Sequence, residues 1–189
     1  MPAGGIHLCV AKKVATLLNI DISMNYLVGS IAPDSWRNSN STKLSTHFLE
    51  EEGSLDYNYD YFYSKYKDYL SNDFVLGYLV HLITDRYWRV NNFITTTKPK
   101  IYEEEIKACS NIISIYDIQR LYLPSDLDNV VEELETSGIE KTINYLNGVN
   151  YLEDKNSVYD VNEILMRIKE TAEFVSSELD RLKINKLKR

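Results

Sequence analysis

From Val161 onward, apolar residues recur at three- and four-residue intervals: Val161, Ile164, Leu165, Ile168, Ala172, Val175, Leu179 and Leu182, with polar residues between them. That period belongs to a helix and excludes a strand, whose faces alternate every second residue. A helix of this length with a single apolar face needs other elements to cover it, so the chain must supply packing partners, and helices pack such a stripe along a bundle.

The rest of the chain offers such partners. Leu8, Ala11, Val14, Ala15 and Leu18 form the stripe of a first helix starting at Gly4-Gly5-Ile6-His7, which places His7 in or just before its first turn. Asn25 to Ile31 is a short apolar piece expected to stop at Ala32-Pro33, because the residue before a proline is pushed away from helical geometry, with Asp34 on the bend beyond. Ser35 to Glu52 reads as a polar loop bordering a cavity. Residues 56–70 settle into helical spacing through Phe62, Tyr66, Tyr69 and Leu70, and their tyrosines either line a pocket or pack half-buried. Residues 73–89 read as an apolar helix. Beyond the turn at Thr95 to Pro99, a helix is expected from Ile101 to about Leu121, then a capping-box-like Ser125-x-x-Asp128 before Val130 and Val131, and a shorter helical piece between Gly138 and Gly148. No strand-plus-glycine-loop unit, internal repeat or low-complexity tract is present. The expected fold is all-α, a single helical domain spanning 1–189, with residues 100–189 completing a bundle begun by 1–90.

The chain has 189 residues, too few for two domains to be expected, and 21 Lys plus Arg against 28 Asp plus Glu, a net charge of −7. Such a surface repels polyanions, which argues against broad electrostatic binding to nucleic acid or an anionic membrane. A small phosphorylated ligand held by metal ions remains compatible, since the ions dominate the local field. Cys9 and Cys109 belong to no paired motif and are expected to be buried, reduced thiols. No window is apolar enough to span a membrane, and the N-terminus lacks a signal-peptide pattern, so a cytoplasmic protein is expected.

Chemistry concentrates in the first 90 residues. All three histidines, His7, His47 and His81, lie there, and His81 is followed four residues later by Asp85, which puts an imidazole and a carboxylate on one helix face. With Asp34 these residues form a set of nitrogen and oxygen donors suited to zinc or a related divalent ion. Gly77, one turn before His81, points to some close approach there, because glycine inside a helix costs about 1 kcal/mol relative to alanine. No Glu-x-x-His, His-Glu-x-x-His, adjacent His-Asp or Gly-x-Ser-x-Gly occurs, which argues against di-iron bundles, zincins, His-Asp phosphohydrolases and serine hydrolases. Each residue also has a plain structural explanation: a core histidine hydrogen-bonded to its surroundings, a helical His-Asp hydrogen bond, or an aspartate capping a turn.

The ordered set Gly5-Ile6-His7, Gly29-Ser-Ile-Ala-Pro33-Asp34, Thr46-His47-Phe48 and Gly77-x-x-x-His81-x-x-x-Asp85 resembles the bacterial zinc-dependent phospholipase C family, whose all-helical fold is shared with fungal single-strand nucleases. The resemblance covers residues 5 to about 90. It implies that Asp34, His47, His81 and Asp85 hold one zinc, that His7 holds a neighbouring zinc with Asp85 bridging, and that Asp34 acts as general base. The chain departs from that family in having no histidine beyond His81 and in beginning Met-Pro, so a one- or two-metal site is expected in place of three. Glu50, Glu51, Glu52 or Asp56 could complete the second site, and Tyr57, Tyr61, Arg86 and Trp88 are candidate substrate contacts. The expected function is that of a metal-dependent hydrolase of phosphate esters, chiefly phosphodiesters. The alternative is a non-catalytic helical protein with a structural metal, using its C-terminal helix to bind a partner or form a homodimer.

Overall fold

The run from Phe74 to Asp85 is buried without interruption, on every side of an 18-residue helix, and the architecture is organised around it. The computed structural model describes residues 2–51, 57–91, 118, 120–127, 134, 136–148 and 161–184. Their helices are α1 (Gly4–Leu18), α2 (Met24–Gly29), α3 (Lys43–Thr46), α4 (Tyr59–Tyr66), α5 (Asp73–Val90), α6 (Ile139–Gly148) and α7 (Val161–Arg181), with 3₁₀ turns at Ala32–Asn38 and Lys67–Tyr69. No strand occurs among the described residues, and the fold is all-α.

Helix α5 is central because it is apolar all round, as a helix surrounded by protein must be. Helices α1, α2, α4 and α7 pack on it, and α7 also packs along α1. The stripe that predicts α7 is buried as expected: Ile164, Ile168, Ala172, Val175 and Leu179 face inward, while Glu163, Lys169 and Glu173 stay in water. One hydrophobic cluster takes in residues from Ala3 to Ile184. No helix among the described residues is long and apolar enough to cross a membrane.

The closest backbone approach is between α2 and α5. A methyl group on Gly77 would stand 2.1 Å from the Tyr26 carbonyl oxygen, and one on Gly29 would stand 2.2 Å from that of Phe74. Only two glycines allow this contact. It brings the backbone at Ser30 against the α5 face that carries His81. The Tyr26 hydroxyl adds a tie by donating to the Ala11 carbonyl of α1 at 2.9 Å.

Three local expectations change. Pro33 does not simply stop a helix: α2 already ends at Gly29, and Pro33 sits at the start of the 3₁₀ turn Ala32–Asn38, where its fixed φ and missing N–H are tolerated. Asp34 is therefore held in a helical turn and not on an open bend. The polar stretch 35–52 is likewise not all loop, since Thr42 and Ser45 form a capping box that starts α3. Ile118, Arg120 and Leu121 lie in no helix, so the expectation of helix to about Leu121 does not hold at these residues. The remainder of that segment, the Thr95–Pro99 turn, Cys109 and Asp128 of the Ser125 box fall outside the described residues. Cys9 is buried with a free thiol, which burial pushes up from its ordinary pKa.

Candidate metal centre

Four separate elements aim their side chains at one buried point. Helix α1 supplies His7 from its first turn, the 3₁₀ turn supplies Asp34, the end of α3 supplies His47, and α5 supplies His81 and Asp85 one turn apart. All five residues are buried, although three are imidazoles and two are carboxylates.

The separations are those of ligands around an ion. His47 Nε2 lies 3.4 Å from His81 Nε2 and 3.4 Å from Asp85 Oδ2. His81 Nε2 lies 3.6 Å from the same Oδ2, and His47 Nε2 lies 3.7 Å from Asp34 Oδ1. Two atoms each bonded to a tetrahedral zinc at ~2.0–2.1 Å must stand ~3.3–3.4 Å apart. The other oxygen of Asp85 turns the opposite way, with Oδ1 3.3 Å from His7 Nε2. The His7 and His81 rings stack with centroids 3.8 Å apart and planes 11° apart. Ligand atoms of His7, Asp34 and His81 form a second group, overlapping the group formed by His47, His81 and Asp85.

Hydrogen bonds fix which nitrogens face the centre. His81 Nδ1 is 2.8 Å from the Ser30 carbonyl oxygen, which only accepts, so Nδ1 carries the hydrogen and donates it. Thr46 Oγ1 lies 2.9 Å from His47 Nδ1 and can accept from it while donating to the Thr42 carbonyl at 3.2 Å. With each ring neutral and its hydrogen on Nδ1, Nε2 would be an unprotonated donor to a metal, an arrangement that metal-bound histidines ordinarily show. Asp34 Oδ1, both oxygens of Asp85 and both nitrogens of His7 are buried with no hydrogen-bond partner among the described residues. Lone pairs facing lone pairs at these distances repel unless a cation or a proton lies between them. The residues present fit a divalent ion, and the buried His/Asp groups can hold one.

Local sequence explains how the ligands are aimed. Phe48, just after His47, adopts a left-handed φ of 55°, which ends α3 and turns its ring onto Phe62 at 5.1 Å. A phenylalanine in that region is strained, and the aromatic contact holds it there. The Tyr78 hydroxyl of α5 donates to the Thr46 carbonyl at 2.6 Å, tying α3 to the helix that carries His81.

Charge follows the geometry. Burial, reinforced by the nearby His81, pushes His7 down to about 4. Burial alone would raise the two aspartates, but the facing histidines outweigh it and hold Asp34 and Asp85 below the ordinary carboxylate range. Burial lowers His47 despite Asp34, whereas for His81 the attraction of Asp85 overcomes burial and raises it.

Asp34 also lines a cleft of about 300 Å³, together with Gly4, Ile31, Arg37, Tyr145 and Leu146. Asp34 is thus the one residue of the cluster that also borders this cleft. Tyr57 is buried with its ring edge-on to His47 at a centroid distance of 5.8 Å. The other sequence-proposed substrate contacts lie elsewhere: Tyr61 is exposed, Trp88 is buried in the core, and Arg86 covers the ring of Tyr59 at 5.1 Å. Glu50 and Glu51 are exposed and do not join the buried cluster. Glu52 and Asp56 lie outside the described residues.

Sequence reasoning missed the Ser30 carbonyl and Thr46 as partners of the histidines. The Ser30 contact is made by backbone and leaves no residue-type signal. Thr46 is adjacent to His47, so it was visible as spacing. Compared with known proteins, the chain matches no family model, no curated protein and no solved structure.

Proposed function

We propose that this protein is a metal-dependent hydrolase of phosphate esters, phosphodiesters above all, using one or two zinc ions held by His7, Asp34, His47, His81 and Asp85. The observation that supports it most is the set of facing Nε2 and carboxylate atoms at 3.4–3.7 Å with their outer nitrogens tied to Ser30 and Thr46. The motif order that resembles zinc-dependent phospholipases C points to the same chemistry from the sequence side.

An ion bound there would supply Lewis-acid polarisation of a phosphoryl oxygen and acidify water. The chain's own residues do the rest. Asp34 is the only one of the five that also lines the cleft, so it meets incoming water and substrate and is the group to accept a proton from attacking water. His47 and His81, fixed through Nδ1, keep Nε2 oriented and cannot rotate away without losing those bonds. Asp85 presents one oxygen to each side of the cluster, suiting it to bridge two ions.

The test is zinc or manganese content per chain alongside hydrolysis of a chromogenic phosphodiester. Activity that chelation abolishes is the expected result, with Asp34→Asn lowering the rate more than it lowers metal content. Metal-loaded protein inactive on phosphodiesters, phosphomonoesters and single-stranded nucleic acid alike overturns the proposal in favour of a structural metal. The cleft at Asp34 favours the enzyme over that alternative. The homodimer version gains nothing from α7, whose apolar stripe is covered within the chain by α1 and α5.

A further inference from the structure

Beside the metal cluster, two half-buried cations converge on one neutral oxygen. Lys43 Nζ is 3.2 Å from the Tyr57 hydroxyl and Arg89 Nη1 is 3.4 Å from it. The lysine ammonium also lies over the Tyr57 ring, 5.6 Å from its centroid. Neither cation has a carboxylate within ion-pair distance among the described residues. Arg167, Lys169 and Arg181 all do. The phenol can accept one hydrogen from each cation, which leaves two of the ammonium's hydrogens and most of the guanidinium's without an acceptor in this group.

A partly buried charge with no carboxylate within ion-pair distance among the described residues is costly, and in a chain of net charge −7 such a partner would be easy to supply. The position is also specific. Tyr57 packs edge-on against His47, the carboxylates of Asp85 and Asp34 act on Lys43, and so do the positive charges of Arg89 and Arg37. Arg37 lines the cleft that reaches Asp34. Lys43 and Arg89 thus meet at Tyr57 beside His47, on an otherwise acidic molecule.

We propose that Lys43 and Arg89, positioned by Tyr57, form a receptor for an oxyanion carried by the substrate, a phosphate in addition to the one that is hydrolysed. Guanidinium and ammonium donors recognise phosphate through charge-assisted hydrogen bonds. The identification of the ligand as a substrate rests on the hydrolase function proposed above, but the receptor itself does not need the metal, which allows the two to be tested apart.

Inorganic phosphate is titrated calorimetrically into metal-loaded and chelator-treated protein, with metal content and helicity measured on every sample. Wild type is expected to bind phosphate in both states. Lys43→Gln and Arg89→Gln should each weaken that binding roughly tenfold or more, while Lys43→Arg and Arg89→Lys retain most of it and all four variants keep the wild-type metal content. Phosphate binding seen only with metal present and unmoved by these substitutions would overturn the receptor and leave the hydrolase proposal intact. Variant-sensitive binding in a protein that takes up no metal would keep the receptor and remove the hydrolase. In active protein, Lys43→Gln should raise KM for a phosphodiester carrying a terminal phosphate and leave KM unchanged for one without it. An equal rise for both would show that the receptor does not hold a second phosphate of the substrate.

Discussion

Helices α5 and α7 are the two longest elements described and reach stability by opposite means. Helix α7 buries a stripe and leaves its other face in water, where ion pairs such as Arg167 with Glu163 and Lys169 with Glu173 form at four-residue spacing. Nothing buried on its stripe is charged. Helix α5 is enclosed from Phe74 to Asp85 and carries into that enclosure an imidazole and a carboxylate that face two more imidazoles and another carboxylate. An apolar stripe with polar ties at the rim holds α7, whereas the buried donors of α5 are compensated only when positive charge sits among them. One helix makes a core and the other makes a site.

The largest break in that comparison is expected from Asp85→Asn, which removes one negative charge facing both sides of the cluster at nearly constant size. Metal content should fall, and with it the difference in melting temperature between metal-loaded and chelated protein. For wild type that difference should correspond to about 4 kcal/mol when free metal is a thousandfold above Kd. Equal melting of wild type with and without chelator would sink the view that α5 depends on an ion.

Ile168→Ala, on the buried stripe of α7, should cost ~2–5 kcal/mol of unfolding free energy through the cavity it leaves. Its metal content should stay at the wild-type value, measured by elemental analysis beside denaturant unfolding. A coupled loss of metal would show that the two helices are not independent. Thr46→Val comes next: it removes the acceptor that holds His47 Nδ1 while preserving shape, and metal affinity should drop ~10–100-fold with little change in the chelated protein's stability.

The smallest effect is a pH slope confined to chelated protein. His7 titrates near 4 when folded, below its unfolded value of 6.5, so between those values the unfolded chain binds a proton that the folded one refuses. Stability should fall as pH drops across that window, by at most ~1.4 kcal/mol per pH unit. The depressed Asp34 and Asp85 act in the same direction, but only below the unfolded carboxylate range. His81, raised in the fold, has the opposite sign and loses its contribution as pH rises through its folded value. The slope should flatten in His7→Gln, as urea midpoints measured from pH 7 to pH 4 can show.

Periodicity made α1 and α7 legible, because their burial patterns repeat over several turns, while α5 was legible from its apolar content. It failed where a segment is only a turn or two long. The capped α3 and the 3₁₀ turn at Pro33 are set by Thr42, Ser45 and a proline ring, local chemistry that a stripe cannot register. Within the site, Gly77 signalled a close approach and Tyr26 to Ser30 proved to be the backbone that makes it. The identity of the atom delivered, the Ser30 carbonyl, was out of reach because every residue has one. The aromatic segment around Tyr57 divided in the same way. Tyr59 and Tyr63 fasten α4 to α7 through Glu178 and the Leu182 carbonyl, while Tyr57 alone reaches the histidines.

All five donors come from the chain before the end of α5, and α7 contributes none. A cation held by His7 and Asp85 would close a loop of 85 − 7 = 78 residues, and closing a loop of that size costs on the order of 4 kcal/mol in chain entropy. Only His81 and Asp85 are neighbours on a single helix; His7, Asp34 and His47 each come from a separate element. A cation held among them would act as a tie between those elements and would strengthen the assembled fold more than any one of its helices.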